Sequence, residues 1–400
     1  MIKLTTHNVV ITSAVRTAIG SFNGMYKDVS AIHLGTTSIA AAIRQSGIAS
    51  TDVDEAIMGN VLQAGLGQNP ARQAALAAEL PIESRAVTIN QVCGSGLMAV
   101  SMAANAIRCG DSDIVVAGGM ENMTRSPYLM PGARSGYRIG NQTIQDSMMH
   151  DGLRCALHDY PMGNTADELC ERYGLSREEL DRFAYDSQRK VKEAREADKF
   201  ADEIVPVDIP QRKGAPLSVY TDEHPRPDTT LEALSKLRPA FKPDGNVTAG
   251  NSSGINDGAA ALVLMSEANA ATLGLRPLAI IRSSAAAGVD PALMGLGPIP
   301  ATERALARAG LHMNDLDLIE VNEAFAAQAL VFTKRFDIDP GIFNVNGGAI
   351  ALGHPIGASG ARVLVTLLHE MIRRGSRYGL ASLCVGGGQG IATVVENAFS

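Results

Sequence analysis

The residues able to do chemistry in this chain sit in glycine-rich turns or at strand ends. Cys93 lies in Asn90-Gln91-Val92-Cys93-Gly94-Ser95-Gly96, and Cys384 in Leu383-Cys384-Val385-Gly386-Gly387-Gly388-Gln389-Gly390. Between them stand Asn322, in Asn322-Glu323-Ala324-Phe325, and His354, in Gly353-His354-Pro355. Two thiols, an imidazole and an amide point to carbon–sulfur and carbon–carbon acyl chemistry. Cys93 follows a predicted strand and opens a predicted helix, where unpaired N–H groups favour a thiolate and can hold an oxyanion. Gly94 and Gly96 leave room for a substrate carbonyl. Cys384 has a similar setting and reads equally as a resolving thiol, a base or a core residue. His354 reads as a base or oxyanion donor, or as a hydrogen-bonded turn residue. Asn322 reads as an amide that orients water, as an N-cap, or as both. Cys109, Cys155 and Cys170 lack a glycine-rich context and read as small buried hydrophobes. The Gly386–Gly390 run lacks the spacing and the downstream acidic residue of a dinucleotide fingerprint.

Strand–helix alternation is what would hold these turns in place. Strands are expected at Val9–Ser13, Val53–Met58, Ala86–Asn90 and Ile114–Ala117. Helices are expected at Val29–Ser46, Asn69–Glu79 and Gly96–Arg108, which gives a layered α/β fold. From about Glu121 to Ala249 the chain is richer in Met, charge, Tyr and Pro, and reads as an inserted, loop-rich domain. It contains one clear helix, opened by the capping box Ser176-Arg177-Glu178-Glu179 and running to about Phe200. Alternation resumes near Leu278 and echoes the first half. Asp317–Asn322 resembles Asp54–Asn60. Ser359-Gly360, its helix and the strand ending in Gly386-Gly387 resemble Ser95-Gly96, its helix and the strand ending in Gly118-Gly119. Two such halves would meet at their glycine-rich ends and form a site at the seam.

Composition narrows the function classes. A chain of 400 residues with 40 Gly and 4% aromatic residues suits tight βα turns. A prior of roughly 150 residues per domain suggests two or three domains. Net charge is −7, with no basic run interleaved with aromatics, so nucleic acid is not an expected partner. No stretch reads as the roughly 18 apolar residues of a membrane span. Met1–Leu4 has no signal or transit character, and Ser400 ends no address signal. Five cysteines, an odd number, argue for a reducing cytoplasm over a disulfide framework. No Cys-x-x-Cys or His-x-x-x-His pair suggests a metal.

The four blocks Val92–Gly96, Asn322–Ala326, Asn346–Pro355 and Cys384–Gly390 resemble, in order and across essentially the whole chain, the motif blocks of thiolases. Asn60–Gly65 and Gly250–Gly254 extend the match. The chain looks most like the bacterial short-chain acetyl-CoA acetyltransferase type. The resemblance implies a duplicated, layered α-β-α-β-α fold. Its N-terminal half would span 1–122 with 250–275, its inserted loop domain 123–249, and its C-terminal half 276–400. It implies a ping-pong Claisen condensation of two acetyl-CoA to acetoacetyl-CoA and CoA. In that scheme Cys93 is acylated, His354 removes its proton, and Cys384 deprotonates the second acetyl group. His354 and a water on Asn322 hold the enolate, and the N–H groups of Cys93 and Gly386 hold the tetrahedral oxyanion. Ser253, with Ala249 beside it, would face the pantetheine. Arg226 would lie near the adenine or its phosphates, and Met162 and Phe325 would line the acyl end. Coenzyme A and acetyl-CoA enter as substrates, no cofactor is tightly bound, and a homotetramer is expected. The chain departs from the short-chain pattern at Pro161-Met162-Gly163, where relatives carry His-Met-Gly, and at Ala233, where some carry a small hydroxyl residue. The other readings weighed are a broader-range degradative 3-ketoacyl-CoA thiolase, a ketoacyl-synthase-type condensing enzyme, and a non-catalytic acyl-CoA-binding scaffold. Cys384 argues against the synthase, and the intact Cys93, His354 and Cys384 argue against the scaffold.

Overall fold

The computed structural model describes residues 8–399; the Met1–Leu4 reading and Ser400 lie outside them. Nine strands form the backbone of one sheet: β1 (Val9–Thr17), β2 (Glu55–Gly59), β3 (Arg85–Ile89), β4 (Ile114–Asn122), β5 (Asn256–Ser266), β6 (Ala279–Gly288), β7 (Leu318–Val321), β8 (Tyr378–Val385) and β9 (Gln389–Asn397). Their order is β7-β8-β9-β6-β1-β5-β4-β2-β3, with the short strands Gly20–Ser21 and Ile204–Val205 joined off this path. The sheet is nearly two sheets. β1 and β6 are joined by only two pairs, Val10 with Ile280 and Ile11 with Ala279.

Each half has a hydrophobic face on both sides, so its strands need cover above and below. Helix α1 (Ala31–Ser46) covers the outer face of the N-terminal half, through Leu34 and Ile39 against Val116, Val263 and Met265. Helix α2 (Ser95–Cys109) and the helix Ser359–Arg374 fill the space between the halves, with Leu97, Val100, Leu364 and Leu367 in one core with Leu262, Leu383 and Val395. The helix Pro298–Ala309 covers the outer face of the C-terminal half, through Ala301, Ala305 and Leu306 against Leu380, Ala392 and Val394. This gives the five layers α-β-α-β-α. The two central helices touch backbone to backbone at their N-terminal ends. A Cβ on Gly96 would stand 2.6 Å from the Ala361 nitrogen, and one on Gly360 2.3 Å from the Leu97 nitrogen. The repeated Ser-Gly of the two halves is therefore a mutual contact.

Several elements differ from the sequence reading. β4 runs to Asn122 rather than stopping at Ala117. Gly118-Gly119, read as the end of the strand, lies inside it. A Cβ on Gly119 would lie 2.1 Å from the Gly357 oxygen, so glycine there admits a neighbouring loop. The inserted region holds further helices, α3 (Gly163–Tyr173) and the short Leu231–Ser235, besides α4 (Arg177–Glu196). α3 opens on Gly-Asn-Thr with no side-chain cap at Met162, so nothing local announces it. The capping box is present, with Glu179 N donating to Ser176 Oγ at 3.2 Å and Ser176 N to Glu179 Oε2 at 2.8 Å. The stretch Val92–Cys109 is also long and apolar enough by length and composition to cross a membrane, with mean hydropathy 1.2 over 18 residues. It contains the central helix α2, whose apolar residues face both sheets. Cys155 and Cys170 are buried, but Cys109 is exposed at the end of α2. All five cysteines are free.

Candidate active site

The site lies where both halves and the inserted region meet. A cavity of about 830 Å³ is lined by Cys93, His354, Gly386, Met162, Phe325, Ser253, Ala249 and Arg226. Sequence reasoning named each of these. Asn322 and Cys384 lie behind its wall and are fully buried. They are close neighbours in the sheet. β7 and β8 run parallel with Val321 opposite Ser382, and Asn322 N donates to Ser382 O at 2.9 Å. Both residues thus stand at the carboxyl ends of adjacent parallel strands, where α/β sheets place their reactive groups.

Cys93 follows β3 through a sharp turn in which Val92 holds φ at 46°, a left-handed value that is costly for a β-branched residue. Gly94 is needed here, because a Cβ would stand 2.8 Å from Val385 Cγ2. That contact joins the two glycine-rich turns. Two backbone N–H groups, of Gly386 and of Cys93 itself, point at the Cys93 sulfur. Burial outweighs them and pushes the Cys93 thiol up to about 11. The expectation of a thiolate stabilised by the helix N-terminus is corrected on this point. In the resting site the thiol keeps its proton, so nucleophilic attack by this sulfur would need a base. Burial, and then the nearby Cys93, raise the Cys384 thiol well above the ordinary thiol range.

His354 places a neutral imidazole in the same cavity. Its Nδ1 lies 2.6 Å from Ser359 Oγ, and Ser359 Oγ lies 2.9 Å from Pro355 O. A carbonyl only accepts, so the serine hydroxyl spends its single hydrogen on Pro355 O and must accept from Nδ1–H. Nε2 is then the bare, basic nitrogen. It is buried and has no protein partner. Burial, and secondarily Arg362, lower the imidazole to about 3, so it is neutral at ordinary pH. The backbone of His354 is anchored separately, its N–H donating to Asn256 Oδ1 at 2.9 Å.

Asn322 is not an N-cap. The following helix, α5 (Ala326–Phe336), is capped at Phe325 with no side-chain bond. Both Nδ2 and Oδ1 of Asn322 are buried without partners, which leaves a full amide free to hold a water. Glu323 beside it is structural. It accepts from Ser187 Oγ at 2.6 Å, Asn344 Nδ2 at 2.9 Å and Ile350 N at 3.2 Å, and so fixes the segment leading to His354.

The inserted region supplies most of the cavity mouth. Ser253 N donates to Ala324 O at 3.0 Å, and Ser252 bridges Phe325, so the Gly250–Gly254 loop is zipped to the strand end carrying Asn322. Arg226 N donates to Gln188 Oε1 at 2.9 Å, which fixes the loop that carries its guanidinium. Met162 precedes α3, and Gly163 must be glycine because a Cβ would stand 2.1 Å from the Phe241 ring. Phe241 in turn meets Phe325 edge to face, with ring centroids 6.1 Å apart. Pro161 lines the cavity with Met149, Gly152 and Leu153, giving an apolar wall, and Ala233 lines it as well. Sequence reasoning missed His224, Met294 and Ile350 in the lining, and Asn256 and Ser359 behind His354. Of these, Ile350 lay in the Asn346–Pro355 block and Ser359 in the repeated Ser-Gly, while His224 lay in the loop-rich insertion. Among the described residues, no group of three or more His, Cys, Asp or Glu could hold a metal ion.

Comparison with known proteins settles the lineage. Residues 9–268 match the family description "Thiolase, N-terminal domain" and residues 275–397 match "Thiolase, C-terminal domain". The chain belongs to the thiolase family. It is 59% identical over 385 residues to a Pseudomonas aeruginosa protein named acetyl-CoA acetyltransferase, covering 96% of this chain and 98% of that one. An Escherichia coli protein of the same name is 58% identical over 390 residues, covering 97% and 99%. The crystal structure of the Bacillus anthracis acetyl-CoA acetyltransferase superposes with a TM-score of 0.96 at 46% identity, covering 98% and 99%. The chain therefore has the thiolase fold and is an acyltransferase enzyme.

Proposed function

We propose that this thiolase is an acetyl-CoA C-acetyltransferase that interconverts two acetyl-CoA with acetoacetyl-CoA and CoA. One observation carries the reading: a protonated Cys93 thiol, a neutral His354 with bare Nε2, and two N–H groups aimed at one sulfur share a single cavity. His354 Nε2 takes the thiol proton while Sγ attacks the acetyl carbonyl. The N–H groups of Cys93 and Gly386 hold the oxyanion, each such donor being worth about 10²–10³ in rate. The departing CoA thiolate takes the Cys384 proton, which leaves a buried thiolate of high basicity. That thiolate removes a methyl proton from the second acetyl-CoA. The enolate oxygen is held by His354 Nε2–H and by a water on Asn322, and the enolate carbon attacks acetyl-Cys93. The tetrahedral oxyanion again rests on Cys93 and Gly386, and as it collapses Sγ leaves and takes back the proton held on His354 Nε2. Coenzyme A and acetyl-CoA are substrates in this scheme, with Arg226 at the phosphate end, Ser253 and Ala249 along the pantetheine, and Met162 and Phe325 at the acyl end.

The curated relatives described above favour the short-chain reading over a broader-range degradative one. CoA-dependent thiolysis of acetoacetyl-CoA and 3-ketooctanoyl-CoA, measured side by side, tests it. Strong preference for the shorter substrate is expected. Equal or better cleavage of the longer one means that the apolar wall at Pro161 opens the acyl end and the degradative reading holds. Cleavage of neither removes the roles given to the two cysteines.

The same reading carries a homotetramer and a cytoplasmic location. The segment around Tyr128–Leu129 and Gln145–Asp146, which pair as a hairpin, exposes Tyr128 (63%), Ile139 (92%) and Ile144 (60%), an apolar group that supports subunit contact. Five free thiols fit a reducing compartment. Light scattering after size exclusion is expected to give four chains of 42.0 kDa. A monomer would refute the assembly.

A further inference from the structure

Glu121 is a carboxylate with no role in the scheme above, and it is fully buried at the end of β4. Four donors converge on it. Oε2 accepts from Val61 N at 3.0 Å and from Gly357 N at 2.9 Å. Oε1 accepts from Asn60 Nδ2 at 2.8 Å and from Leu62 N at 3.2 Å. Gly357 closes the loop that begins at His354, and a Cβ at 357 would lie 2.6 Å from Oε2, so loop and carboxylate are in direct contact. Val61, Leu62 and Ile356 belong to the apolar cluster against which Cys93 packs. A negative charge on Glu121 also acts on Cys93, raising its thiol. One side chain of the N-terminal half thus ties the His354 loop of the C-terminal half to the Asn60–Leu62 segment beside Cys93.

We propose that Glu121 is a positioning residue of this active site, fixing the His354 loop against the Asn60–Leu62 segment beside Cys93 through its ionised carboxylate. The proposal rests on the thiolase reading and deepens it. The ionised form matters because only a carboxylate accepts from all four donors. A carboxamide turns an N–H₂ toward two of them, and a protonated acid turns an O–H toward them. Burial raises Glu121 to about 7, against the pull of the Val61, Leu62 and Gly357 N–H groups. Loss of the clamp by protonation therefore falls near pH 7, with activity expected to fall as pH drops through it. The titratable groups facing Glu121 are Asp257 on the paired strand β5 and the Cys93 thiol. The loop donating from Gly357 carries His354, which is neutral there.

The test compares wild type, Glu121→Gln and Glu121→Asp in two assays: acetoacetyl-CoA thiolysis, and the pH dependence of Cys93 alkylation by iodoacetamide. A misplacement of about 1 Å at such a site costs about 10²-fold, so Glu121→Gln is expected to lose about that much kcat with KM little changed and to lose the acid limb of the pH profile. Removing the negative charge is expected to lower the alkylation midpoint by on the order of one pH unit. Glu121→Asp keeps the charge but withdraws it from Gly357, so it is expected to keep the wild-type alkylation midpoint and lose kcat. If the Gln variant does not fold, the Asp variant decides alone. A purely structural residue would lower Tm while leaving kcat per alkylatable Cys93, and its pH profile, as in wild type; that result overturns the proposal. If wild type cleaves no 3-ketoacyl-CoA, the functional reading fails, and the alkylation midpoints still report whether Glu121 governs Cys93.

Discussion

Replacing Ser359 by alanine should disable His354 without touching it. In the structure the Ser359 hydroxyl donates to Pro355 O at 2.9 Å and accepts from His354 Nδ1 at 2.6 Å. The alanine leaves a buried N–H with no acceptor, which costs about 1–3 kcal/mol. The imidazole escapes that cost by moving its proton to Nε2, and it then faces Cys93 as a donor when a base is required. At about 1.4 kcal/mol per tenfold, the penalty for regaining the working tautomer is a loss of about 5- to 150-fold in kcat/KM. Initial rates of acetoacetyl-CoA thiolysis measure it, following loss of the 3-ketoacyl thioester absorbance. Far-UV circular dichroism and Tm establish that the first turn of the Ser359–Arg374 helix survives. A variant that stays folded with kcat/KM within about twofold of wild type would refute the tautomer argument.

Three further outcomes are expected. Asn322→Ala removes two buried atoms that have no protein partner, so Tm should hold or rise while kcat falls by about 10²-fold; a drop in Tm with activity retained would make the residue structural. Gly163→Ala forces a Cβ to 2.1 Å from the Phe241 ring, costing about 1–3 kcal/mol and raising KM for acyl-CoA as Phe241 moves against Phe325; an unchanged KM counts against the acyl-end assignment. Burial lowers His224 to about 4, below its unfolded value of about 6.5, so the unfolded chain binds the proton first and stability falls as pH drops between those values. Tm of His224→Gln should fall less over that window than Tm of wild type, and parallel curves would sink the point.

Which parts of this molecule could be read from its sequence depends on where each partner comes from. Cys93 carried a local signature, a thiol between a strand and a helix in a glycine-rich turn, whereas Cys384, His354 and Asn322 left several readings open locally and were singled out by the order of the four motif blocks. Ser176 and Glu179 gave α4 a local signature as well, since a capping box closes within one turn. Glu121 and Asn256 could not be found this way, because they reach the His354 loop across 236 and 98 residues of chain. Gly118 and Gly119 marked the end of a strand in the sequence because glycine in a strand pattern gives the same local signal whether the strand stops or a neighbour approaches. Asn322 reads as a water-orienting amide, a cap, or both, because Asn before a helical run is often a cap; the cap is Phe325, which leaves the amide unclaimed. The Cys93 protonation state is a balance of burial against two N–H groups, and only the second had a local signature.

The contact of Gly96 with Ala361 and of Gly360 with Leu97 has a consequence for how the enzyme comes into being. Each half can collapse onto its own sheet using neighbours in sequence, but that contact closes only when chain segments hundreds of residues apart meet, a step of high contact order and slow closure. On the ribosome, Cys93 emerges with the first half, well before the base and the Gly386 amide have been synthesised. Until the two helix ends dock, the thiol lacks both the His354 imidazole and the Gly386 N–H, so the nascent chain is expected to be a poor acceptor from the surrounding thioester pool. Catalytic competence then arrives with the last long-range docking event. In refolding, recovery of acyl transfer should trail recovery of helix signal.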